Sequence, residues 1–219
     1  MNEISNREVA GLRRQARVLV LLDGAARAGL EPMGIIPLHA YAFLANVLAP
    51  VWDMPALDGK ILKRRGGPFY PALQRDLDRM VGRGMVCVSQ VAHIRSSDGK
   101  WRLEGRYSLN RNMSADALAY LQQLPGEDQF ASFATELAYA LSALGDDELE
   151  TALVEDATYC DPTVSANNVL DFEEWVRRNP STNAANYFSR LMPEGTHATP
   201  GEKLHLYVRH LRRRIHAHG

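Results

Sequence analysis

Four cations stand close together in Lys60, Lys63, Arg64 and Arg65, followed directly by Gly66 and Gly67. Cations on a glycine-containing segment suit contacts with phosphate oxygens, which position a protein on nucleic acid without reading its sequence. Lys100, Arg102 and Arg106 form a second basic group, and Arg75 and Arg79 a third, with Gln74, Arg83, Asp76 and Asp78 on the same stretch. Asp76 and Asp78 oppose a DNA-reading role there, because a carboxylate facing phosphates is repelled unless paired. The same charges can form ordinary surface pairs, such as Asp76 with Arg79. Phosphate contact and a solvated or protein-facing surface both remain open for this set.

The acidic residues offer other chemistry. Asp146, Asp147, Glu148, Glu150, Glu155, Asp156, Glu173 and Glu174 crowd one region. Paired carboxylates can hold a divalent ion or act as acid and base, and a nuclease or hydrolase built on Asp146, Asp147 and Glu150 is one reading. The plainer one is a solvated acidic face, since Asp146-Asp147-Glu148 opens a helix where the dipole favours negative charge. Such a face can also dock a basic partner or repel DNA from the wrong side. His205, His210, His216 and His218 show no i, i+4 pair and no nearby cysteine, so no metal and no cofactor is expected. The chain carries no phosphate-binding P-loop, dinucleotide fingerprint, nucleophile elbow or HExxH. The expectation is a protein that is not an enzyme.

These residues need elements to hold them. Ser5 and Glu8 fit a capping box, and apolar residues from Val9 to Ala26 recur at helical spacing, giving a first helix over 6–28 that stops at Gly29. Pro37 suits the first turn of a second helix, which Pro50 ends. Residues 50–68, rich in breakers and charge, read as a loop. A third helix starts near Pro71, buries Leu73, Leu77, Met80 and Val81, and closes at Gly84. Met85 to Ile94 reads as a strand, with Cys87 as a small core residue. Ser97-Asp98-Gly99-Lys100 is a hairpin turn, and Trp101 to Leu109 returns with Trp101, Leu103 and Tyr107 alternating. Three helices followed by a hairpin is the winged helix-turn-helix order, and the hairpin is the wing.

Residues 113–219 read as helical, with segments over 115–124, 129–144, 147–157, 169–178 and 202–216, breaks at Gly145-Asp146 and Asn179-Pro180, and a loop over 181–201 to which 186–191 adds a turn. The expected fold is mainly α with a small β-hairpin: a winged helix-turn-helix domain over 1–112, then an acidic helical domain over 113–219 ending in a basic amphipathic helix. On that last helix Leu204, Tyr207, Val208, Leu211 and Ile215 form a seam, with Arg209, Arg212, Arg213 and Arg214 around it. The seam either docks on the chain's own core or binds a partner or a second copy.

The 219 residues are 46% hydrophobic and 23% charged, an ordinary balance for a soluble globular chain. The net charge of −1 hides three blocks: +7 over 1–112, −14 over 113–176, where Lys and Arg are absent, and +6 over 177–219. Such asymmetry means either surfaces for different partners or blocks that neutralise one another within one monomer. Two cysteines without a C-x-x-C pair, no signal peptide and no apolar run of membrane-spanning length make the cytoplasm the expected location.

The run Leu57-Asp58-Gly59-Lys60-Ile61-Leu62-Lys63-Arg64-Arg65-Gly66-Gly67-Pro68-Phe69-Tyr70-Pro71, continuing through Leu73, Leu77, Met80 and Gly84-Met85-Val86, resembles the winged-helix middle components of bacterial ABC-ATPase three-component systems, the Lamassu-like, SMC-related anti-phage group. Its Gly-Pro-Phe-Tyr-Pro element is also similar to Panacea-type antitoxin domains. The resemblance covers roughly residues 15–110. It implies a non-catalytic adaptor that bridges an SMC-like ATPase to an effector, with double-stranded DNA as a further contact. The residue-based alternative is a free-standing winged-helix transcriptional regulator of the PadR or MarR kind, which would form a homodimer, with the last helix as a candidate seam, and read a palindrome.

Overall fold

The structure is a computed structural model that describes residues 2–55, 60–64, 67–95, 99, 101–161, 169–171, 179–193 and 196–218. It is mainly helical, with two small antiparallel sheets. Helix α1 spans Asn2–Arg27, so Ser5 lies inside it and does not cap it. Gly29 stops the helix as expected. At φ +75° it turns the chain so that Leu30 N–H reaches the Ala25 carbonyl at 2.9 Å, a Schellman closure.

Strand β1 (Met33–Gly34) leads into α2 (Ile35–Leu48), followed by a 3-10 turn over Ala49–Trp52. Every residue of α2 from Pro37 to Leu48 is buried, which makes it the central helix of the core. The stretch Ile35–Trp52 is long and apolar enough to cross a membrane by composition alone, yet 78% of it is buried within the fold. Inside it, Asn46 donates to the Tyr70 hydroxyl at 2.9 Å, and His39 Nδ1 accepts from Tyr70 N–H at 3.2 Å.

The segment expected to be a loop contains strands. β2 (Lys60–Arg64) pairs with β3 (Gly67–Phe69), Leu62 opposite Phe69, and on its other side with β6 (Val169–Asp171), Ile61 opposite Leu170. This corrects two readings: 50–68 is not simply a loop, and Val169–Asp171 is not the start of a helix. Residues 172–178 of that expected helix lie outside the described residues. Ile61 is buried in the central strand, so the sheet forms where an apolar side chain recurs between cations.

Helix α3 (Pro71–Gly82) begins with Pro71 in its first turn and ends at Gly84, where Met85 N–H bonds the Met80 carbonyl at 3.0 Å. β4 (Val86–Arg95) and β5 (Trp101–Leu109) then form the expected hairpin, and β1 adds to the outer side of β5, giving the order β1-β5-β4. Of the expected turn residues only Gly99 is described, at φ +79°. A bulge between Ser89 and Ala92, with Gln90 at φ +50°, shifts the register midway.

After the hairpin come α4 (Arg111–Leu121), α5 (Glu127–Leu141), α6 (Asp146–Ala152), α7 (Pro180–Tyr187), a 3-10 turn over Phe188–Leu191 and α8 (Pro200–His218). Helix α7 corrects the expected 181–201 loop: Asn179-Pro180 starts a helix, with the Asn179 side chain accepting from Thr182 N–H. Helix α8 starts earlier than expected. Glu202 accepts from Thr199 N–H at 2.7 Å while Thr199 Oγ1 accepts from Glu202 N–H at 3.2 Å, a capping box.

One hydrophobic cluster joins both halves, from Val18–Leu22 of α1 through α2 to Phe130, Phe133 and Leu137 of α5 and Leu204–Leu211 of α8. The packing is continuous across residue 112. Helix α1 lies along α5, and Gly24 is the point of closest approach: a Cβ there would stand 3.2 Å from the Ala134 backbone and 2.9 Å from the Tyr41 hydroxyl, which itself donates to the Ala134 carbonyl. Gly24→Ala is therefore expected to lower stability by about 1–3 kcal/mol through overpacking. A denaturant titration checks it, and an unchanged midpoint would show that the two helices are not so close.

Candidate functional site

The cations divide by what holds them. On β2, Lys63 donates to the Asp161 carbonyl at 3.1 Å and lies 5.4 Å from the centre of the Tyr159 ring, half-buried. It binds the chain itself and does not project from a loop. Lys60 and Arg64 occupy the same strand, where only their backbone is described; Arg65 and Lys100 lie outside the described residues. Arg102 is on β5 opposite Ile94, its side chain also outside the description. Arg106 is tied down, donating to the Pro32 carbonyl at 2.8 Å.

On α3 the expected exposed face loses its central member. Asp76 is buried at 1% exposure, accepting from Arg14 Nε of α1 at 3.0 Å and from Arg79 at 3.2 Å. Its charge is matched from two sides, which a buried carboxylate requires. Gln74 donates to Asp78 at 2.9 Å, and Arg83 to Gln15 at 2.9 Å. Arg75 remains exposed on the outer face. The face of α3 is thus largely committed to internal pairs.

The hairpin carries a feature that alternation alone did not reveal. Trp101 and Leu103 are 67% and 65% exposed, with Val91 at 56% and Ile94 at 44%. Cys87, expected in the core, is exposed as well. Among the described residues, it is the base of the hairpin that meets the body, where Val86 and Leu109 are buried and Tyr107 is half-buried. Trp101, Leu103, Gly105 and Tyr107 share one face of β5. Gly105 leaves the space that Val88 and Val91 occupy: a Cβ there would meet Val88 Cγ1 at 2.7 Å and Val91 Cγ2 at 3.7 Å. The result is an apolar face along the outer hairpin, with His93 opposite Leu103 and Arg95 opposite Trp101. Exposed apolar faces are uncommon on single soluble chains, which makes this one a candidate contact surface. A sequence signal existed: Val88, Val91, Ile94, Trp101 and Leu103 exceed what a two-stranded ribbon can bury against one body.

At the other end, the seam of α8 is occupied by the chain itself. Leu204, Tyr207, Val208 and Leu211 are buried and Ile215 half-buried, packed toward α5, α6 and α7. The acidic face meets the basic helix: Arg214 pairs with Glu155 at 2.8 Å, and Glu148 accepts from Arg212 at 3.4 Å and His216 at 2.8 Å. His205 contacts Glu136 at 2.9 Å, and His210 packs against Phe188 in a tilted arrangement, 5.4 Å between centroids. Part of the charge asymmetry is therefore spent within the chain.

Asp156 corrects the picture of a solvated acidic block. It is fully buried and accepts from Tyr207 Oη at 2.7 Å, Ser181 Oγ at 2.8 Å, and the N–H groups of Thr158 and Tyr159 at 2.9 Å each. Burial pushes its carboxyl above the usual carboxylate range, against the pull of those four donors. Enclosed at 0% exposure, it ties the segment after α6 to α7 and α8 and offers nothing to a substrate. Among the described residues, no group of three His, Cys, Asp or Glu could hold a metal ion.

Against known proteins, no family model, no curated protein and no solved structure matches this chain.

Proposed function

We propose that this chain is a winged-helix adaptor subunit without catalytic activity of its own, which docks by its hairpin onto a partner protein. The partners are an SMC-like ABC ATPase and an effector in a cytoplasmic anti-phage complex. The element order supports the winged-helix reading: α1, β1, α2, α3, β4 and β5 in sequence, with β1 pairing β5 in the sheet β1-β5-β4. The β2–β3 pair is an insertion between the second and third helices of that plan.

The observation that carries the adaptor reading is the apolar hairpin face of Trp101, Leu103, Val91 and Val88. A DNA-contacting wing presents cations and few large apolar groups, whereas an apolar face rimmed by Arg95 and His93 has the composition of a protein interface core, enriched in aromatic and Arg residues. The regulator reading is weakened from two sides. The α8 seam it would use to dimerise is packed inside the chain, and α3 has few cations left to read bases. Co-expression with the neighbouring genes tests the proposal. An ATPase should co-elute with this chain; if no neighbour encodes one, or none co-elutes, the reading fails.

A further inference from the structure

We propose that the outward face of α8 is a second contact surface, one that binds the phosphate backbone of duplex nucleic acid. Arg209, Arg212, Arg213 and His216 line a single shallow concavity. Their spacing of i, i+3, i+4 and i+7 places all four on one side of the helix, over about 10 Å of its axis. Arg212 and His216 are held by Glu148. Arg209 and Arg213 are exposed and make no ion pair or hydrogen bond among the described residues. Two guanidinium groups are therefore open, flanked by Arg212 and His216, which share the single carboxylate of Glu148. The neighbouring His210 shows the local field: burial first, then Arg214 and Arg213, hold its imidazole below the usual range.

Chemistry selects nucleic acid over an acidic protein. No large apolar side chain of α8 is exposed among the described residues, so the face lacks the apolar centre on which protein interfaces rest. Protein–nucleic acid interfaces are instead polar and positively charged. A duplex presents one charge per about 1.7 Å of axis, so several phosphates fall within reach of this stretch. Arginine binds phosphate oxygens in bidentate fashion. This surface is separate from the hairpin face and does not depend on the adaptor reading.

The test uses the full chain and a labelled DNA duplex of about 20 base pairs and arbitrary sequence, titrated between about 50 and 200 mM salt. The wild type is expected to bind, with affinity falling steeply with salt. Arg209→Ala with Arg213→Ala should weaken binding at least about tenfold and reduce the salt slope by about two units, one for each phosphate that the variant no longer neutralises. Neither arginine has an internal partner among the described residues, so the melting temperature should stay at the wild-type value. Arg209→Lys with Arg213→Lys should keep the slope, since charge rather than shape carries this term. No binding at the lowest salt, or equal binding by the double alanine variant, overturns the proposal. So does displacement of the duplex by polyglutamate at matched charge, which assigns the face to an acidic protein.

Discussion

Asp156→Ala is expected to destabilise the chain by about 3–5 kcal/mol, because the change strands buried donors that have no water to turn to. Tyr207 Oη, Ser181 Oγ and the Thr158 and Tyr159 amides all converge on this one carboxylate. Around it, Thr158 Oγ1 lies 2.7 Å from Ser181 Oγ, while Asn179 and Thr182 reach the Val47 carbonyl at 2.7 and 2.6 Å. Loss of Asp156 therefore loosens α7 and α8 from the end of α2 together. Chemical denaturation checks the magnitude, and a loss below about 1 kcal/mol would show that the network is not closed as described.

The pH dependence has a definite sign. Burial raises the carboxyl of Asp156 in the folded chain above its unfolded value, so the folded state holds the proton more tightly. The stability this contributes is full below the unfolded value, in the acidic carboxylate range, and is lost as pH rises through the raised folded one. Asp156→Asn should remove that part of the decline. Glu31, also raised by burial and accepting from Leu109 N–H at 2.7 Å, contributes the same sign and persists in the variant. A variant whose stability declines with pH as steeply as the wild type's would contradict the assignment.

Leu77→Ala is expected to cost about 2–4 kcal/mol as a truncation at a fully buried site. Leu77 is 0% exposed, on the side of α3 that packs against α1, with Leu73 and Met80 one turn either way. Since Asp76 next to it holds Arg14 of α1, the same helix pair is joined by apolar packing and a buried ion pair. A wild-type melting temperature would place the register of α3 in error.

The parts of this fold that sequence periodicity could reach were those held by local rules. Helix α3 announces itself by Pro71, the Leu73–Leu77–Met80 stripe and Gly84, all of which act within one element. The hairpin announces itself by β-branched residues around Asp98-Gly99. The parts beyond its reach depend on partners far along the chain. Strand β2 carries cations like a loop, and it becomes the centre of a sheet when Val169–Asp171, over a hundred residues later, pairs on the side that β3 leaves open. Asp76 and Asp156 look like surface charges until Arg14 and Tyr207 arrive from distant helices. Two helix starts do carry local signals. Asn179-Pro180 is a cap followed by a proline in the first turn, a start and not a break, and Thr199 with Glu202 is a capping box.

For the candidate site, composition pointed at cations, and folding consumed several of them. Lys63 went to Asp161 and Tyr159, Arg79 to Asp76, and Arg106 to Pro32. What folding left over is the apolar hairpin face. Alternation alone cannot separate that face from core, because Trp101 and Leu103 alternate in the same way whether or not anything covers them; the signal lies in the number of large apolar residues on the hairpin.

The most direct measurement is the affinity between this chain and an SMC-like ATPase encoded by a neighbouring gene, the partner that the proposal requires, compared with that of a Trp101→Ser, Leu103→Ser variant. Both side chains are exposed, so the variant should fold with an unchanged melting temperature. The adaptor account expects the double change to weaken the complex at least about a hundredfold, the scale expected for removing an aromatic and an aliphatic anchor together at about 1.4 kcal/mol per factor of ten. Binding at wild-type strength by the folded variant would contradict it.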